Sequence, residues 1–399
     1  FFIIMLASFS AMVAIGNKTT SVPENSVLVL KAGVAIPDRS DNNPVSGFDL
    51  VNMTVNPATG LNDILKNIKK AAEDQKIKGI LIENGLIPSG WATTEEIRDA
   101  LVKFRESGKF VIAYTDYVLL QEGYYLSTAA DKIYINPSST VDFKGLSGEV
   151  MFYRNALEKM GIEVQVTRHG KFKGAVEPFI LDGLSDENEE QIRAYVGSIW
   201  SHVVSGIAQS RGLTEEKLNQ LADSLVGYSA EGALKYRLVD GLLFRDALND
   251  TLKILSGMTT DDKINLVQMS KYTRVPEQNK MVSAKNKISV IYASGSIVAG
   301  KGTGNNIGGN AFSEVIRKER LDTNVRAIVL RVNSPGGDAT ASDLIWREIH
   351  LASKVKPVVI SMGNYAASGG YWISTPGTKI FASPTTITGS IGLMQAALG

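Results

Sequence analysis

The chain repeats itself, and no other feature restricts its fold as much. Residues 110–128, FVIAYTDYVLLQEGYYLST, align without a gap on residues 357–375, PVVISMGNYAASGGYWIST, 247 positions later. Gly123, Tyr124, Ser127 and Thr128 fall on Gly370, Tyr371, Ser374 and Thr375. Upstream, DILKNIKKAAEDQKIKGILIEN (63–84) parallels AFSEVIRKERLDTNVRAIVLRV (311–332) at an offset of 248, and 27–36 parallels 289–298. Downstream, 131–149 runs beside 378–394. Each copy reads as strand, amphipathic helix, strand, helix, strand. Short apolar strands alternating with helices predict right-handed crossovers and a buried, mainly parallel sheet. The expected fold class is α/β: two tandem repeats, each a mainly parallel sheet with flanking helices.

We expect the first repeat to span 27–256 and the second 288–399, joined by a connection at 257–287. The first copy continues past its strand block through GIEVQVTRHGKFK (161–173), a long helical stretch and the close SAEGALKYRLVDGLL (229–243). The second copy has no such continuation before Gly399, so it is expected to be truncated. The opening FFIIMLASFSAMVAI is almost wholly apolar and carries no charge. It is short for a membrane span, which needs about 20 residues. It reads as the remnant (1–16) of an N-terminal transmembrane anchor rather than as a signal-peptide core. A polar linker, 17–26, follows.

Lysine and arginine number 42 against 41 aspartates and glutamates, and the net charge of +1 gives no footprint for nucleic acid. There is no cysteine. That excludes disulfides, thiolate zinc sites and a cysteine nucleophile. Only His169, His202 and His350 are present, the last two in helical-looking stretches. Catalysis here has to work with few histidines or none.

The copies differ at two places. Gln121 stands where the second copy has Ser368, and NSPGGD (333–338) has only GLIPSGW (85–91) as its counterpart. Both features belong to the second copy, which suggests that it kept a site while the first became support. NSPGGD follows the apolar run AIVLRV. Pro335 restricts φ, and Gly336 and Gly337 permit backbone geometries closed to other residues. Such a turn can aim N–H groups into a cleft, where they stabilise an oxyanion. A tight strand-to-helix turn is the plain alternative.

Ser368 also lies between a strand and a helix, among alanines and glycines. The Gly369 N–H falls in the first helical turn, where N–H groups lack internal partners. This is the logic of a nucleophile elbow, although G-x-S-x-G is not matched. The plain alternative is a helix N-cap. A serine nucleophile needs a base. No histidine is placed for that role, and a Ser–Lys pair is an established variant. A lysine base has to be neutral, which burial or a nearby positive charge achieves. Lys171 and Lys173 end a strand-like stretch and precede a segment with little charge. Strand alternation puts both on one face, so spacing does not choose between them.

Together KFKGAVEPF, VNSPGGDATAS, MGNYAASGGYWIST and TGSIG resemble the signal peptide peptidase A (protease IV) family, in its long two-repeat bacterial type, over essentially the whole chain. The resemblance implies a membrane-anchored serine endopeptidase with a Ser–Lys dyad on Clp-protease/crotonase-like repeats. It implies Ser368 as nucleophile, Lys173 as general base within KGAVEPF, and Ser390 of TGSIG as the serine that orients the lysine. Gly337 and Gly369 would supply the oxyanion N–H groups, with Gly336 close behind Gly337. Signal peptides and other hydrophobic peptides would be the substrates, and a homotetramer the assembly. The location would be the bacterial inner membrane, with the catalytic domain on the periplasmic or extracytoplasmic side. Neither a metal nor a cofactor is implied, nor a nucleic-acid partner. Two departures stand out: Gly174 and Asp338 each occupy a position where serine is common in the family. A crotonase-type acyl-CoA enzyme is a rival that would share the fold and glycine donors but typically uses carboxylates. An inactive membrane-anchored scaffold is the other, with the serine loss at Gln121 as its precedent.

Overall fold

The computed structural model describes residues 21–32, 35–40, 48–49, 54–55, 58–84, 89–168, 170–276, 284–392 and 394–398. They form two compact units: one drawn from 1–144 and 206–281, the other from 145–205 and 282–399. Residues 145–205, which the sequence reading assigns to the first repeat's continuation, thus cluster with the second unit. The apolar stretch 1–16 and His169 lie outside the described residues. Among the described residues no helix is long and apolar enough to cross a membrane.

The first unit is built on β1 (Ser26–Ala32), β2 (Ile77–Asn84), β3 (Phe110–Thr115), β4 (Lys132–Ile135), β5 (Gly241–Leu242) and β6 (Asn265–Gln268). They form one sheet in the order β5-β4-β3-β2-β1-β6, with every pair parallel. Helices α1 (Leu61–Glu73), α2 (Trp91–Arg105) and α3 (Gln121–Ser127) connect the strands. Leu61, Ile64, Ile68 and Ala71 are the buried stripe of α1, at the three- and four-residue spacing of a helix face. Val27, Val29, Leu81, Ile112, Tyr114, Leu248 and Leu252 share one apolar cluster.

The second unit repeats the plan. Strands β7 (Lys287–Ser294), β8 (Val325–Ser334), β9 (Val358–Ala367) and β10 (Lys379–Phe381) pair in chain order, all parallel, and β11 (Ile387–Gly389) pairs with the far end of β9. Helices α4 (Gly309–Leu321), α5 (Ala339–Ser353) and α6 (Gly369–Ser374) connect them. The core runs through Ile291, Ile328, Leu330, Val332, Ile345, Ile349 and Ile360. Each fully buried aliphatic side chain of this kind stabilises the fold by roughly 1.5–3 kcal/mol.

The offsets that relate the sequences also relate the pairing. Ile80 opposes Val111 in the first sheet, and Ile328 opposes Val358 in the second. Ile112 opposes Lys132, as Val359 opposes Lys379. Side-chain ties follow the same correspondence. Lys109 Nζ donates to the carbonyls of Ala71 and Asp74; its equivalent Lys356 donates to those of Glu319 and Asp322. The Val111 N–H donates to Asp131 Oδ2, and the Val358 N–H to Thr378 Oγ1. Side chains that seal helix ends and strand starts are thus duplicated along with the strands.

Candidate active site

The site lies within the second unit. β9 ends at Ala367, and Ser368 turns the chain into α6 with φ 51° and ψ −117°. A non-glycine residue at such angles carries strain of order 1–3 kcal/mol. Two bonds hold it there. The Ser368 N–H donates to the Gly389 carbonyl at 2.8 Å, and its own carbonyl accepts the Trp372 N–H at 2.9 Å. It stands at the N-cap position of α6, but its hydroxyl makes no capping bond to that helix.

The glycine turn packs directly against this elbow. Gly336 has φ 99° and Gly337 φ 150°. A Cβ on Gly336 would lie 2.6 Å from the Gly369 nitrogen, and one on Gly337 would lie 2.0 Å from the Ile297 carbonyl oxygen. A Cβ on Gly369 would lie 2.5 Å from Ser342 Oγ and 3.3 Å from the Gly337 nitrogen. These approaches require glycine. Hydrogen bonds separate the two candidate donors of the turn. The Gly336 N–H donates to Ser334 Oγ at 3.2 Å. The bridge to Ile297 uses the carbonyl of Gly336 and the N–H of Asp338, not the N–H of Gly337. These bonds thus use the Gly336 N–H and leave out that of Gly337. A cavity of about 290 Å³ opens here, lined by Gly337, Ser342, Ser368, Gly369, Tyr371, Trp372, Thr375 and Ile391 among others.

Lys173 reaches the site from the 145–205 segment. The strand expected over 161–173 ends at Arg168. Gly170, with φ 83°, turns the chain beyond it, so strand alternation does not govern Lys171 and Lys173, and the expectation that both share one face is corrected. Lys171 is exposed, its Nζ 4.9 Å from the Phe172 ring centroid. Lys173 is only 5% exposed, and its Nζ donates to Ser390 Oγ at 2.9 Å and to the Ser390 carbonyl at 2.6 Å. Burial lowers its pKa from the ordinary lysine value, the direction that favours the neutral amine.

Ser390 follows Gly389, the last residue of β11, and has φ 52°. Ser368 and Ser390 each follow the end of one strand pair, tied by the Ser368 N–H to the Gly389 carbonyl, and Lys173 is bonded to Ser390. The strand Val164–Arg168 pairs antiparallel with Met394–Leu398, which ties the lysine-bearing segment to the chain just beyond Ser390. His350 stacks on Trp346 in α5, with ring centroids 5.0 Å apart. Two departures from the family pattern also find places. Asp338 caps α5, its Oδ1 accepting the Ala341 N–H at 2.7 Å. At Gly174 a Cβ would lie 2.4 Å from the Asn188 amide.

The sequence reading did not single out Ser342, Arg168 or Glu177. Ser342 lines the cavity, and its hydroxyl donates to the Asp338 carbonyl at 2.8 Å. Glu177 is fully buried and bonded to Arg168. A lone carboxylate in the otherwise apolar run AVEPFIL was the available signal for it.

Fold and site together define a class: an α/β protein of two similar parallel sheets, one of which carries a strained serine elbow and a glycine turn at a cavity, in a unit that also buries a lysine bonded to Ser390. The model of peptidase family S49 matches residues 103–259 and 350–398, just over half of the chain. The chain belongs to that family. It is 33% identical to Protease 4 of Haemophilus influenzae over 98% of its length, covering 66% of that protein. Against Protease 4 of Salmonella typhi the figures are 34%, 98% and 65%. The chloroplastic serine protease SPPA of Arabidopsis thaliana is 34% identical over 87% of the chain, which covers 52% of that relative. The chain thus spans between half and two thirds of the length of these relatives.

Proposed function

We propose that this chain carries the catalytic centre of a serine endopeptidase working through a Ser368–Lys173 dyad. The observation that carries the reading is the buried Lys173 amine bonded to Ser390, one residue beyond the carbonyl that holds the Ser368 N–H. Neutral Lys173 takes the proton of Ser368 Oγ as that oxygen attacks the scissile carbonyl. The N–H groups of Gly337 and Gly369 stabilise the oxyanion. Lys173 then protonates the leaving amine, and a water deprotonated by the same lysine releases the acyl-enzyme. Ser390 keeps the amine aimed between these steps. The relatives named as proteases support this chemistry.

The substrates in this reading are signal peptides and other hydrophobic peptides, matching a cavity with Tyr371, Trp372 and Ile391 in its wall. Residues 1–16 would anchor the protein in a bacterial inner membrane, with the site on the extracytoplasmic side of a homotetramer. The test is hydrolysis of a peptide ester, alongside labelling by a serine-reactive phosphonate, in the full-length protein. The parental protein should turn over and label, while Ser368→Ala and Lys173→Ala should lose at least about a thousandfold in kcat. A parental protein that neither turns over nor labels would favour the scaffold reading. Near-parental activity in Lys173→Ala would remove the lysine from the mechanism.

A further inference from the structure

Lys173 needs more than a partner for its amine. A lysine side chain has many rotamers, and a base displaced by about 1 Å can cost about a hundredfold in rate. Its main chain therefore has to be fixed as well. Lys173 stands where an irregular turn (φ −89°, ψ 67°) passes into the short 3₁₀ turn Gly174–Val176 and the helix Glu177–Ile180. That local structure is one irregular turn and two short helical segments. A carboxylate four residues on ties it to its surroundings.

Glu177 is fully buried. Its Oε1 accepts from the Ser185 hydroxyl at 2.6 Å and from Arg168 Nη1 at 3.3 Å. Its Oε2 accepts from the Ser185 N–H at 3.1 Å and from Asn188 Nδ2 at 3.0 Å. Burial alone would raise this carboxyl, but the hydroxyl and N–H of Ser185, the Asn188 amide and Arg168 outweigh it and hold it below the ordinary glutamate value. It is a charged group with four donors. The same Arg168 nitrogen also donates to the Lys173 carbonyl at 3.3 Å. One guanidinium thus joins the buried carboxylate to the main chain of the lysine. Arg168 itself ends the strand Val164–Arg168, where it pairs with Met394, four residues past Ser390.

Charge matters as much as position. The charged side chains bonded at the Lys173 turn, among the described residues, are Arg168 and Glu177; the segment opposite contributes Ser390, which is neutral. Arg168 satisfies Glu177, so the carboxylate does not call for the lysine as its counter-ion. A base that has to be neutral is best served by such an arrangement.

We propose that Arg168 and Glu177 are the positioning pair of Lys173, holding its main chain at the site and keeping the buried carboxylate paired to a cation other than the catalytic amine. The proposal rests on the reading of Lys173 as general base. The test is the pH profile of peptide-ester hydrolysis in the full-length protein and in Arg168→Met, Arg168→Gln and Arg168→Lys. Arg168→Met should lower kcat at least about tenfold with KM little changed. Its acid limb in kcat/KM should move to higher pH, because a loosened lysine becomes hydrated and meets an unpaired carboxylate. Arg168→Lys restores a cation and should recover part of both effects. Arg168→Gln keeps a donor without the charge. It guards against a variant that simply fails to fold, and should show the shifted limb with a smaller loss of rate. A folded Arg168→Met or Arg168→Gln with the parental acid limb overturns the proposal, whatever its melting temperature. Lys173→Ala separates the two failures. If it is dead while the Arg168 variants keep the parental limb, only the positioning role falls; if it is active, the underlying reading falls.

Discussion

The two units share a four-strand parallel core, β1–β4 in one and β7–β10 in the other, and differ at the junction that follows its third strand. In the second unit the chain leaves β9 through Ser368 in a strained conformation, followed by Gly369. In the first, Gln121 and Glu122 occupy those two positions. The residue before the helix there is Leu120, at an unstrained φ of −65° and ψ of 156°. The Glu122 carboxylate accepts from the main-chain N–H groups of Ser89 and Gly90 and from the Thr94 hydroxyl. By the repeat offset, Ser89, Gly90 and Thr94 correspond to Gly337, Asp338 and Ser342. The first unit therefore covers with its own side chain the Ser89 N–H, whose counterpart Gly337 lines a cavity in the second; the counterpart of the Gly90 N–H, that of Asp338, is bonded to the Ile297 carbonyl instead. The comparison teaches that this fold places donors at the end of its central strands in both copies. Whether they become a site depends on a strained serine and the absence of a neighbouring side chain.

Beyond loss of the serine or the lysine, the largest expected effect comes from closing the second cradle as the first is closed. Gly337→Ala would set a methyl 2.0 Å from the Ile297 carbonyl oxygen at a φ of 150°. Ester hydrolysis should fall by about 10²–10³, the range for loss of an oxyanion donor, with a lower melting temperature. Parental turnover in this variant would show that the glycine turn is not the donor. Next comes Ser390→Ala, which removes one of two acceptors of the Lys173 amine and keeps the carbonyl. A drop in kcat of about 10- to 100-fold is expected, and steady-state kinetics with an unchanged kcat would take Ser390 out of the site.

A smaller effect belongs to the first unit. Burial raises the Glu122 carboxyl from 4.5 to about 7, against the opposing hydrogen bonds from Thr94, Gly90 and Ser89. Its stabilising contribution is then complete below the unfolded value near 4.5 and is lost as pH rises through about 7. Thermal melts from pH 5 to 8 should show the parental protein losing stability with pH more steeply than Glu122→Gln, with hydrolysis equal in both. Parallel melting curves would break the comparison, since the carboxylate would then not be buried in the cradle. The smallest change is expected at exposed Lys171, where Lys171→Ala should stay within about twofold of parental kcat/KM.

Much of this was legible in one sequence because it is local or periodic. The alternation of apolar strands and amphipathic helices predicted mainly parallel sheets, and the offsets between the copies carry over to the pairing, since Ile80–Val111 corresponds to Ile328–Val358. The glycine pair after AIVLRV and the small residues around Ser368 marked a turn and an elbow, because backbone sterics restrict which residues such angles admit.

Tertiary structure alone decided the rest. Strand alternation left Lys171 and Lys173 equal, and only the fold buries one against Ser390, 217 positions away, while leaving the other in water. It also supplied a physical ground for the order of Gly337 and Gly336 that the family resemblance implied, through a bond that commits the Gly336 N–H to Ser334. It turned Glu177 from a lone charge in an apolar run into a four-donor anchor, and Glu122 into a plug over main-chain donors. Periodicity reports which face of an element is buried. Which groups meet across hundreds of residues, and so which amine is buried and has its pKa lowered, follows from the assembled packing.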